Sequence, residues 1–160
     1  MSVLSETINE ALHPEARPKP NLELLRQVLR QIDDEPNLWI QDRWRDVDNW
    51  CGTAYCVAGW AVALTGGQWE DDGDDDGYLI AVPEDESPLP YVTVAMRARR
   101  LLGLTQVETA ALFRGDNTRE EVEAIAGRIR LRAFEEFGED PLEEAEYDLP
   151  PVVVSLAVSE

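Results

Sequence analysis

Histidine and lysine are almost missing from this chain: His13 and Lys19 are the only examples in 160 residues. One histidine, set beside Pro14, speaks against acid–base or nucleophilic catalysis of the usual kind. Such chemistry needs a base, usually an imidazole, within hydrogen-bond reach of the group it activates. Cysteine is also scarce. Cys51 and Cys56 with one remote histidine do not supply the four closely spaced ligands of a structural zinc. No apolar run approaches the roughly 20 residues of a membrane-spanning helix. The first residues, MSVLSETINE, have no basic stretch leading into an apolar core, so no secretory signal is expected. Two cysteines without a signal predict reduced thiols in a cytoplasm.

Basic residues are few as a class. There are 33 acids against 14 bases, a formal net charge of −19. Such self-repulsion keeps a protein in solution and disfavours direct contact with nucleic acid or anionic membrane. It favours a basic partner or a cation. The charge is uneven: residues 97–132 hold eight arginines against five acids, whereas residues 70–86 hold nine acids and residues 135–148 hold eight.

Apolar residues make up 44% of the chain, enough for one domain with a real core. Residues 3–12 fit a short helix, and Pro14, Pro18 and Pro20 form a stiff arm. From Asn21, a suitable N-cap, Leu22, Leu25, Val28, Leu29 and Ile32 recur at helical spacing to about Asp33. The segment 38–50 reads as extended or turn. A helix is predicted from about Thr53 to Thr65, ended by Gly66 and Gly67. Residues 70–77 read as an acidic loop, Tyr78–Val82 as a short strand, and 91–102 as a helix closed by Gly103. Thr105 with Glu108, and Thr118 with Glu121, have capping-box spacing. The second opens a helix with Val122, Ile125, Ala126, Ile129 and Ala133 on one face. The tail Pro150–Glu160 contains VVVSLAV, a candidate edge strand for Tyr78–Val82 or for another copy.

These readings define a mainly α fold, α+β with a minor β element. It is expected as a compact bundle of five to six helices around a central small-residue helix. Residues 1–20 are the N-terminal helix and arm, 21–148 a single helical domain, and 149–160 the tail.

The most distinctive string runs from Trp50 to Ala61, WCGTAYCVAGWA. It predicts a helix start with Cys56, Gly59 and Ala63 on one side, a seam that lets another backbone come close. With a second string, Ala98–Phe113, it resembles a family of small uncharacterised proteins of actinobacteria and their bacteriophages. The likeness spans the middle half of the chain. It implies a host or phage cytoplasmic setting and an accessory role, and it carries no catalytic residues.

Other candidates have a bland reading beside the sharp one. Cys51 at a helix start has the position of a thiol nucleophile, but structural packing of both cysteines is the expectation. Asp72, Asp74 and Asp76 fit the first half of a calcium loop, D-x-D-x-D-G. The twelfth position is Pro83 rather than Glu, so a solvated acidic loop is expected and weak calcium binding is the alternative. Leu101–Phe113 resembles part of a helix-turn-helix, yet the following helix opens with carboxylates that would face phosphates. All five tryptophans lie within residues 39–69. Two or three are expected in the core, and Trp39, Trp44 and Trp69 are candidates for a partner-binding surface.

The function these features imply is a non-enzymatic accessory protein, without cofactor, that binds a host protein, with a homodimer also open. The first alternative is an acidic DNA mimic that occupies a DNA-binding protein. A cation-binding or thiol-dependent protein is the second.

Overall fold

A computed structural model describes residues 17–49, 51–71, 78–83 and 89–139. Within them the chain forms an α+β fold of five α-helices and two small antiparallel sheets.

Helix α1 spans Leu22–Asp34 and buries Leu22, Leu24, Leu25, Val28, Leu29 and Ile32. Asn21 starts it, its Oδ1 accepting from the Leu24 N–H at 3.0 Å. The same residue ties α1 to the end of a later helix: its backbone N–H donates to the Leu102 carbonyl at 2.8 Å. A single 3-10 turn, Pro36–Leu38, leads to strand β1, Arg45–Asp46, which pairs with β2, Ala54–Tyr55.

Helix α2, Val57–Leu64, begins four residues later than the sequence pattern predicts. Residues 54 and 55 are drawn into the β1–β2 pairing instead, so Cys51 and Gly52 sit in a turn rather than at a helix start. The N-cap is Cys56, whose Sγ accepts from the Gly59 N–H at 3.4 Å. The first six residues of α2 are all buried, and the helix packs against α1 and α3. Gly59 provides the expected close approach. A Cβ there would lie 2.1 Å from the Trp44 carbonyl oxygen.

The second sheet has the order β3–β4–β5: Gln68–Asp71, Tyr78–Ala81 and Tyr91–Thr93. Two expectations change here. Glu70 and Asp71, read as loop, belong to β3. Residues 91–93, read as the first turn of a helix, form β5, and helix α3 is Val94–Leu102 with Thr93 as its N-cap. Strand β4 is the central strand, paired on both sides. It therefore offers no edge to a C-terminal strand. The expected segments 3–12 and 149–160 lie outside the described residues.

Gly103 closes α3 at φ 65°. A Cβ there would lie 1.9 Å from the Lys19 carbonyl oxygen, so the arm 17–20 crosses this cap closely. Helices α4, Gln106–Leu112, and α5, Arg119–Phe137, both open with the complete capping box predicted for them. The predicted face of α5 is buried, from Val122 to Ala133. Arg132 stitches these parts together. Its guanidinium binds both Glu108 carboxylate oxygens, at 2.7 and 3.0 Å, and donates to the carbonyls of Pro18 and Gly103. Pairing and hydrogen bonding offset the cost of holding that charge at 9% exposure.

Candidate interaction site

The two sheets meet in a row of aromatic rings. Trp60 is buried in α2 and donates its indole N–H to the Leu38 carbonyl at 3.0 Å. Tyr55 of β2 meets Trp60 edge-on, with ring centroids 4.7 Å apart, and lies 5.5 Å from Trp69 of β3. Trp69 meets Tyr78 of β4 edge-on at 5.5 Å. The register explains this last contact. Tyr78 is the partner of Asp71, which puts Trp69 two residues away on the same face of the ladder. The row thus leads from the buried Trp60 outward to three half-buried rings.

Arg45, directly opposite Tyr55 in the β1–β2 pair, lays its guanidinium over two of these rings. Its Cζ is 5.2 Å from the Trp69 centroid and 5.7 Å from that of Tyr78. Each such contact is worth about 0.5–2 kcal/mol, depending on desolvation. Arg45 has no ion pair among the described residues, and its Nε is buried without a hydrogen-bond partner. A buried unpaired donor costs about 1–3 kcal/mol. In a chain this rich in acids, this arginine is held, among the described residues, by aromatic faces and not by a carboxylate.

The three tryptophans proposed from the sequence are placed differently. Trp69 is in the ring row. Trp39 is partly buried and committed to the fold: its indole N–H donates to Gln41 Oε1 at 3.0 Å. That same oxygen accepts the Val57 N–H at the start of α2, and Gln41 Nε2 donates to the Leu112 and Arg114 carbonyls. Trp44 is partly buried against the core, its carbonyl over Gly59. The structure does not bring Trp39 and Trp44 into the ring row. Of the residues that complete it, Arg45 and Tyr78 carry no local motif, and Tyr55 lies in the Trp50–Ala61 string without being marked by it as a surface residue. Only the strand pairing gathers them.

The cysteines part company. Cys56 is buried and Cys51 is exposed, against the expectation that both pack. The turn at Gly52 holds Cys51 at the surface, where its N–H bonds Asn49 Oδ1 at 2.9 Å. Burial pushes the Cys56 thiol up to about 11 from 9.0. Asp72, Asp74 and Asp76 lie outside the described residues, as does Trp50 of the distinctive string. Among the described residues, no group of three His, Cys, Asp or Glu side chains could hold a metal ion. No helix among them is long and apolar enough to cross a membrane.

The ring row and its arginine mark an acidic α+β protein with an aromatic surface beside its core. No protein family, curated protein or solved structure matches the chain.

Proposed function

We propose that this is a non-enzymatic accessory protein that binds another protein through the surface formed by Arg45, Tyr55, Trp69 and Tyr78. The observation that carries the reading is the Arg45 guanidinium over two half-buried rings, without an ion pair among the described residues. Tryptophan, tyrosine and arginine are the side chains most enriched where interfaces concentrate their binding energy. Here three such rings are neither fully buried nor fully exposed. A partner that covered them would desolvate the guanidinium further and strengthen its ring contacts.

The resemblance to actinobacterial and bacteriophage proteins makes a host cytoplasmic protein the proposed partner. Free thiols at Cys51 and Cys56 fit a reducing compartment. The test is affinity capture of the tagged chain from an actinobacterial lysate, washed at low and then high salt. The expected result is one defined protein that survives the high-salt wash, since an aromatic contact is screened little by ions. A basic or DNA-binding partner lost at high salt would replace this reading with acidic mimicry of DNA.

A further inference from the structure

The face of α5 opposite the core carries Leu131 and Phe134, each 53% exposed, with Gly127 one turn before them. These positions follow at i, i+4 and i+7, so they form one stripe along the helix. Gly127 stands inside a long helix, where glycine costs about 1 kcal/mol relative to alanine. A Cβ at that position would meet nothing within 4 Å. Nothing in the described fold therefore requires a glycine there. The space it leaves lies outside the described fold, beside two apolar side chains.

One edge of this stripe carries Arg128 and Glu135, both exposed, seven residues apart and opposite in sign. Neither has an ion-pair partner among the described residues. The other edge carries Arg130, which is already paired with Glu123 at 3.2 Å. Two helices that pack antiparallel about a two-fold axis bring the same edge of each copy together, in reversed order. With the axis level with positions 131 and 132, Arg128 of one copy meets Glu135 of the other, twice. In that same register Phe134 of the second copy comes level with Ile129, between Gly127 and Leu131. The apolar stripe, the open glycine and the unpaired charges are thus satisfied together by one arrangement.

We propose that the outer face of α5 is a self-association surface, which pairs antiparallel with the same face of a second copy of this chain. It is separate from the aromatic surface and does not depend on the binding function proposed for it. One helix face is a small contact, so the dimer is weak.

Sedimentation equilibrium of the full chain over a concentration series up to about 1 mM tests this, a range reaching contacts worth about 4 kcal/mol. A monomer–dimer equilibrium is expected. Arg128→Glu and Glu135→Arg each place like charges at both symmetric sites, and each is expected to weaken association about tenfold. An equal mixture of the two variants restores both attractions and associates like the wild type. Gly127→Ala is expected to raise thermal stability yet weaken the dimer, a combination that a merely structural glycine would not produce. A monomer throughout the series overturns the proposal and leaves the face to residues 140–160 or to a different protein. Variants that associate no better mixed than alone overturn the antiparallel register.

Discussion

The two cysteines show how much one residue's surroundings decide. They stand five positions apart in one motif, yet Cys51 is exposed in a turn and Cys56 is buried at a helix start. A helix N-terminus by itself lowers a thiol's pKa, and the Gly59 amide hydrogen bond acts in that direction. Desolvation is the larger effect, and Cys56 stays protonated up to about 11. The unfolded thiol ionises near 9.0, so above that pH the unfolded chain gives up a proton that the folded chain keeps. Stability from this site is complete below 9.0 and falls as pH rises through about 11. Cys56→Ala removes the effect. Urea unfolding of both proteins is expected to show the wild type's advantage over the variant shrinking by roughly 2 kcal/mol across that window. A constant difference would mean that the thiol ionises freely in the folded state.

At the scale of elements, the sequence was readable wherever the signal was local. Asn21, the two Thr–Glu capping boxes and Gly103 each act on backbone groups within four residues, and each lies where its pattern places it. The buried stripe of α5 follows in the same way from helical spacing. The misreadings all involve strand pairing. Ala54 and Tyr55 look like the first turn of a helix until Arg45 and Asp46 come alongside, and Tyr91–Thr93 until β4 does. A ladder partner 8 to 14 residues away, as in these pairs, leaves no periodicity of its own. The candidate site was half hidden for that reason: Trp69 stood out by composition, whereas Arg45, Tyr55 and Tyr78 are assembled only by the register. The small-residue seam of α2 was legible, and it makes a firm prediction. Gly59→Ala would drive a methyl group into the Trp44 carbonyl, with Tyr55 Cβ also within 2.9 Å. Overpacking of this kind costs about 1–3 kcal/mol. Chemical denaturation is expected to show that loss, and wild-type stability would mean that the 39–46 segment gives way freely.

For the whole molecule, charge and packing point to different surfaces. A net charge of −19 sets a field that repels nucleic acid at long range. Yet the parts described most fully are held by buried apolar side chains, by the Arg132 staple and by the aromatic row. The acidic stretches at 72–76 and 140–148 lie outside the described residues. The aromatic row is thus the feature on which the proposed binding rests. The most direct test compares capture by the wild type with capture by Arg45→Ala and Trp69→Ala, after circular dichroism has shown all three folded. The account predicts that both variants lose the captured protein by about tenfold or more, as truncating a central interface residue does. Equal recovery by all three proteins would contradict it, and would move the binding surface away from the rings.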